Sequence, residues 1–216
     1  MQFDLYNSPD LPDKVSDALK GDLPGIQAHA LMMAYKRRTV AQAINSGEKP
    51  RLSAVMMLLY RKENLWHTVF MQRPDNQGVH SGQISFPGGK QEESETIIQT
   101  AFRETEEEVG IQSHQLRILG GLSEIFIPPS NFIVKPFVAV LEGDFVFNPN
   151  PDEVQALLEV PLSDFFREPI LTSTEIHIPS LHVLINAPSF IIDQKVLWGA
   201  TAMMVQEFRM LFGYKL

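Results

Sequence analysis

Apolar and polar positions along the chain change period several times, and each change marks an element. Pro12 and Asp13 open a short helix that ends near Gly21. Ile26–Asn45, apolar but carrying the basic triplet Lys36-Arg37-Arg38, reads as a second helix stopped by Gly47. Leu52–Tyr60 and Leu65–Gln72 are strand-length apolar runs, and Arg61-Lys62-Glu63-Asn64 between them predicts a hairpin. A loop of turn residues, Arg73–Gln83, leads to Ile84-Ser85-Phe86, and Pro87-Gly88-Gly89 breaks the run. Ser94–Val109 is predicted as a helix with Ser94 as N-cap and Gly110 as its stop. Strands are expected at Gln115–Phe126, Ile133–Leu141 and Val154–Val160, with a helical turn over Leu162–Phe166 after Pro161. Ser180–Ile192 suggests another hairpin, turning near Asn186-Ala187-Pro188, and Gly199–Phe212 is an amphipathic terminal helix. There is no internal repeat, low-complexity tract or linker. The expected organisation is a helical extension over residues 1–48 and one α/β domain over 49–216.

Composition narrows this. The chain has 216 residues, of which 44% are hydrophobic and 20% charged, as in a globular protein with one sizeable core. No apolar run approaches the roughly 20 residues that span a bilayer. The opening MQFDLYNSPD lacks the basic-then-apolar order of a secretory signal. There are no cysteines, which removes disulfides, thiolate zinc sites and Cys nucleophiles and makes a cytoplasmic chain the expectation. A net charge of −8 argues against nucleic-acid binding, which needs Lys and Arg against phosphates. That charge is concentrated. Residues 89–111 hold seven acids (Glu92, Glu93, Glu95, Glu104, Glu106, Glu107, Glu108) against Lys90 and Arg103, five of the eight net negative charges.

On a helical wheel Ile98, Ala101, Phe102, Thr105 and Val109 form one stripe of roughly 100°, a core-facing side. Glu104, Glu107 and Glu108 fall on the remaining surface at i, i+3, i+4, where their side chains are neighbours. Like charges packed near a helix C-terminus repel each other and oppose the dipole. A local rule broken without compensation points to function. Clustered carboxylates without Cys or His suit a hard divalent cation, Mg²⁺ or Mn²⁺. The glycines just upstream, Gly88 and Gly89, let backbone approach a ligand closely.

The spacing resembles a known signature. Gly89, five residues, Glu95, seven residues, then Arg103-Glu104-Thr105-Glu106-Glu107-Glu108-Val109-Gly110-Ile111 is similar to the Nudix box G-x5-E-x7-R-E-U-x-E-E-x-G-U, with Thr105 in place of an aliphatic residue. The resemblance implies a three-layer α/β/α sandwich with a mixed sheet, and Mg²⁺-dependent hydrolysis of a nucleoside diphosphate linked to another moiety. By position, it implies that Glu104 and Glu108 are the principal metal ligands and Glu107 an additional one. Arg103 orients the glutamates and is placed to pair with Glu107, Glu95 is auxiliary, and the Gly89 carbonyl is a backbone ligand. Family members often add a Glu from a distant loop as ligand or general base, and Glu153 is one of few candidates. Homodimers are a family habit.

Phe70-Met71-Gln72-Arg73-Pro74 followed by Gly82-Gln83-Ile84-Ser85-Phe86-Pro87-Gly88-Gly89 resembles the coenzyme A pyrophosphatase motif. It departs at Met71, at Pro74 and at Gly78, where an Arg is usual. His80-Ser81-Gly82-Gln83, Asn150–Val154 and Trp198–Ala202 are also similar to this subfamily. Arg73, Gly88 and Gly89 are therefore expected to bind substrate, most simply coenzyme A or an acyl-CoA. A cation suited to a phosphate-rich ligand is missing at Gly78; Lys36, Arg37, Arg38 or Lys135 are the substitutes available. ADP-ribose or another nucleoside diphosphate derivative is the alternative substrate. A non-catalytic Nudix sensor is the third reading, disfavoured because every box carboxylate is present. The histidines show no metal spacing, and Trp198 is expected in the core or an interface.

Overall fold

A computed structural model of the protein describes residues 7–47, 49–74, 82–166, 171–178 and 183–213. Gly78, His80 and Ser180 lie outside the described residues. α1 (Leu11–Leu19) has Pro12 in its first turn, where a missing N–H costs nothing. Leu11, Val15 and Leu19 recur at four-residue intervals and are buried. The second predicted helix is in fact two, α2 (Ile26–Leu31) and α3 (Val40–Asn45), with Lys36-Arg37-Arg38 in the non-helical stretch between. The reason is a start signal inside the predicted span. The Thr39 hydroxyl accepts from the Gln42 amide (3.2 Å) and the Gln42 side chain accepts from the Thr39 amide (2.9 Å), a reciprocal cap.

β1 (Arg51–Lys62) and β2 (Leu65–Gln72) pair through a two-residue turn, Glu63-Asn64, both with φ positive (52° and 64°). β3 (Ile84–Ser85) and β4 (Gly88–Lys90) follow. α4 (Ile97–Val109) begins at Thr96, not Ser94, because the Gln99 side chain accepts from the Thr96 amide at 2.8 Å. It ends as predicted at Gly110, in the left-handed region. The predicted strand Gln115–Phe126 is two strands, β5 (Leu116–Gly121) and β6 (Ile125–Ile127). Between them the Ser123 amide turns to a buried carboxylate, Glu207, instead of a ladder. β7 (Phe132–Leu141) and β8 (Ala156–Pro161) complete this sheet, and Leu162–Phe166 is a 3₁₀ turn.

β9 (Leu171–Ile178), β10 (Val183–Ile192) and β11 (Lys195–Trp198) form a small antiparallel sheet, and α5 (Gly199–Leu211) closes the described chain. The turn expected at Asn186-Ala187-Pro188 is mid-strand, opposite Glu175, Thr174 and Ser173. Pro188 is tolerated because pairing with β11 starts only at Ser189, leaving its own edge without a donor to supply. The turn is instead Asp193-Gln194, again with positive φ.

The large sheet runs β3-β2-β1-β7-β5, with β4 beside β1, β6 beside β7 and β8 beside β2. β1 and β7 are parallel and the other pairings antiparallel, so the sheet is mixed. Alternation along β1 feeds two cores. Ala54, Met56, Leu58 and Tyr60 face α4, while Met57 and Leu59 join α1 and α5 on the other face. The result is the expected three-layer α/β/α sandwich. Across α2 and α5, buried His29 contacts buried Glu207 (Nε2 to Oε2, 3.0 Å), and the Gly25 amide donates to the same carboxylate at 3.1 Å.

Candidate active site

β4 runs against β1 and brings its glycines under α4. A Cβ on Gly88 would overlap the backbone of Ala54 and Val55, and one on Gly89 would overlap the Glu104 carboxylate. Only glycine permits this approach. The Gly88 amide donates to Glu108 Oε2 at 2.7 Å. Glu108 is fully buried, which corrects the expectation that it lies on the helix surface with Glu104 and Glu107. Its place four residues after Glu104, on the side of the helix that meets β4, gives the carboxylate a backbone donor in place of water. Thr105 does face the core; its hydroxyl donates to the Ala101 carbonyl at 2.7 Å.

Electrostatics at Glu108 are those of an anion short of a partner. Burial pushes its carboxyl up to about 8, with Glu104 and Glu153 adding to the rise and the Gly88 amide and Arg73 opposing it. Its Oε1 is buried without a hydrogen bond. Burial likewise raises Glu104, and the charges of Glu107 and Glu153 add to this. Arg103 works in the other direction. It donates to both oxygens of Glu95 (3.0 and 2.9 Å), to Glu104 (2.8 Å), to Glu107 (2.9 Å) and to the Lys90 carbonyl (3.1 Å). The i,i+4 pair with Glu107 anticipated from spacing is therefore made. Among the described residues no three acidic or histidine side chains already converge as a metal cage. The orphaned Oε1 of Glu108 and the mutual repulsion of the carboxylates nevertheless fit a divalent cation, which would relieve both.

Glu153 is exposed, but its segment is tied to the helix end: the Asn148 amide donates to the Val109 carbonyl and the Asn150 amide to the Glu108 carbonyl, both at 3.0 Å. The Asn150 side chain in turn donates to Glu153 at 3.3 Å.

Beside this cluster opens a cleft of about 690 Å³. Arg73, Phe86, Gly88 and Gly89 form one wall, so the upstream motif and the box share a cavity. The Arg73 amide donates to the Gln83 carbonyl at 3.0 Å, and Phe70 stacks on Phe86 with centroids 4.6 Å apart, which fixes that wall. Trp198, expected in the core or an interface, is half-buried and lines the cleft. Tyr35 and Phe132 line it too and were not singled out from sequence; nothing in their local pattern separates a cleft aromatic from a core one. Of the histidines, His29 is buried against Glu207 and His67 stacks on Tyr60, structural places as expected.

A family model described as NUDIX domain matches residues 50–181. The chain belongs to the Nudix family. Over 137 residues it is 32% identical to a Yersinia enterocolitica protein named Uncharacterized Nudix hydrolase NudL, covering 63% of this chain and 69% of that one. The protein of that name from Yersinia pestis (strain Pestoides F) is 31% identical, over 63% of this chain and 67% of its own. Among solved structures, RenU, a Nudix hydrolase from M. smegmatis, aligns with TM-score 0.51 at 17% identity, over 75% of this chain and 85% of that one. A MutT/nudix family protein from Enterococcus faecalis aligns with TM-score 0.50 at 15% identity, over 81% and 69%. At such identities these two structures speak for the fold. As a Nudix hydrolase the chain is a pyrophosphohydrolase acting on a nucleoside diphosphate joined to another group. No helix among the described residues is long and apolar enough to cross a membrane.

Proposed function

We propose that this Nudix hydrolase cleaves the pyrophosphate of coenzyme A or an acyl-CoA, with Mg²⁺ or Mn²⁺, to give 3′,5′-ADP and phosphopantetheine or its acyl derivative. The observation that carries this reading is the shared cavity: Arg73, Gln83–Phe86, Gly88 and Gly89, all from the segment resembling the CoA motif, line the cleft that opens beside the box carboxylates. A cytoplasmic site of action suits a cysteine-free chain.

Glu104, Glu108 and the Gly89 carbonyl would hold the cation, with Glu107 available for a second. When bound, the metal polarises a phosphoryl oxygen and activates water. The protein's own groups do the rest. The Gly88 amide fixes one oxygen of Glu108, and the Arg103 fork fixes Glu104 and Glu107, so the ligands are aimed before substrate arrives. Arg73 supplies positive charge beside them, toward the diphosphate. Glu153, carried on the segment clamped to the end of α4, is the carboxylate assigned to take the proton from the attacking water.

The test is a side-by-side assay of CoA, acetyl-CoA, NADH and ADP-ribose by phosphorus NMR in Mg²⁺. The expected result is the highest kcat/KM on a CoA substrate, with 3′,5′-ADP as product. A clear preference for ADP-ribose would transfer the assignment to that substrate.

A further inference from the structure

Four cations were available to replace the one missing at Gly78, and the fold separates them. Lys36 is exposed and lines neither cavity. Lys135 donates to the Leu122 carbonyl at 3.1 Å. Arg38 lies over the Phe126 ring and lines only a smaller cavity of about 240 Å³. Arg37 alone among the four lines the large cleft.

Its position is specific. Arg37 borders both cavities, so it stands as the partition between them. The smaller cavity includes neither Gly88, Gly89 nor Arg73. Arg37 thus borders the side of the cleft that adjoins the smaller cavity, whereas it is Arg73 that lies at Glu108. It is partly buried, its Nε has no hydrogen-bond partner, and among the described residues it forms no ion pair; the group beside it is the Tyr35 ring, 5.2 Å from the guanidinium carbon. Burial lowers its basicity, and the Tyr35 side chain, its hydrogen-bonding neighbour, opposes this only in part. Its Nη2 points at the start of α5, lying 3.9 Å from where a Cβ on Gly199 would be. A helix N-terminus is already positive, and Trp198 offers it no side-chain cap. Two positive features facing one cavity, with no acidic side chain among the described residues that line it, leave a place for a negatively charged ligand group. Tyr35 beside Arg37 and Trp198 next to Gly199 line the same cleft and offer flat apolar surface suited to a base.

We propose that Arg37 is a specificity-determining residue that receives a phosphomonoester on the nucleoside half of the substrate, separate from the diphosphate that is cleaved. This rests on the CoA reading above for its natural substrate, whose 3′-phosphate is such a group. A guanidinium fork matches that group bidentately, and a Lys would not.

The test compares coenzyme A with dephospho-coenzyme A, which lacks only that phosphate, in wild type, Arg37→Met and Arg37→Lys. Binding of 3′,5′-ADP and of AMP to the same proteins is measured by calorimetry. Met keeps the bulk of the stem and removes a buried charge, and a thermal melt confirms that the fold is retained. Arg37→Met is expected to lower kcat/KM for CoA about tenfold more than for dephospho-CoA, mainly through KM, with Arg37→Lys between. Wild type is expected to bind 3′,5′-ADP about tenfold more tightly than AMP, and Arg37→Met to erase the difference. Equal losses on both substrates, or a 3′,5′-ADP preference that survives the substitution, would overturn the proposal. The two readings fail separately. A wild type inactive on CoA that still prefers 3′,5′-ADP through Arg37 removes the proposed substrate and keeps the subsite.

Discussion

Arg73 Nη1 lies 3.9 Å from Glu108 Oε1, so the first arginine of the upstream motif sits over the buried carboxylate of the box. This ties two segments that are 35 positions apart to one chemical event. It also sets what Arg73 can discriminate. A cation at the carboxylates proposed to hold metal faces the diphosphate that CoA and ADP-ribose share. Arg73→Ala is therefore expected to lower kcat/KM by about tenfold or more on CoA and on ADP-ribose alike, the scale of one charged contact. Steady-state kinetics on both substrates check this. A loss confined to CoA would move Arg73 to the 3′-phosphate and leave Arg37 without its role.

Glu104→Gln and Glu108→Gln keep shape and remove ligand charge. Each is expected to lower kcat by about 10² or more, comparable to losing a key electrostatic stabiliser. Melting temperature without metal is expected to hold or rise, because burial and neighbouring carboxylates raise both groups, Glu107 and Glu153 for Glu104, Glu104 and Glu153 for Glu108. Near wild-type turnover in either variant would remove that residue from the ligand set.

Cation binding is expected to stabilise the protein by about 2.7 kcal/mol at a hundredfold excess over Kd, raising the melting temperature by several degrees. Differential scanning calorimetry in EDTA, Mg²⁺ and Mn²⁺ measures this. Full hydrolysis in excess EDTA would contradict the metal assignment.

The two glycines of β4 are expected to fail differently. Gly88→Ala drives a methyl into the backbone of β1 and is expected to destabilise by about 3 kcal/mol or more. Gly89→Ala meets a movable carboxylate, Glu104, and is expected to lose activity with a smaller drop in melting temperature. Paired melts and assays separate the two.

The Glu95–Arg103 pair carries a pH signature. Hydrogen bonds from Arg103, the largest cause, hold the Glu95 carboxyl at about 2, below its ordinary 4.5. A lowered folded-state pKa stabilises above the unfolded value and is lost as pH falls through the folded one. The stability gap between wild type and Glu95→Gln is expected to be full above pH 4.5 and to close toward pH 2. Urea midpoints across that range test it; a gap that stays constant denies the linkage.

The box was legible because its chemistry is local. Carboxylates at i, i+3, i+4 and the glycines before them are fixed by one helix and one short strand, and the left-handed Gly110 stop follows from the same segment. The misreadings lie where distant partners decide. Asn186-Ala187-Pro188 has turn composition, yet eight consecutive pairings with β9 keep it extended. Glu108 reads as a surface acid until β4 arrives with the Gly88 amide. Ser123 looks like mid-strand until Glu207, more than eighty positions later, claims its amide. Tyr35, Phe132 and Trp198 come to line one cavity only when the N-terminal stretch, β7 and β11 are folded around it.

Glu207 has a bearing on how far this catalytic unit can be cut or transplanted. The segment shared with the family, 50–181, ends before α5 and starts after α2. A graft of that segment alone would carry the box carboxylates and Arg73 but leave behind Arg37, Trp198 and the carboxylate to which Gly25, His29 and Ser123 are moored. Trimming only the N-terminal helices would strand that anion in an apolar trough with the Ser123 amide as its remaining donor among these three. The transferable cassette is therefore longer than the homologous one at both ends, and chimeras meant to swap substrate preference within the family should exchange the flanks and hold the box constant.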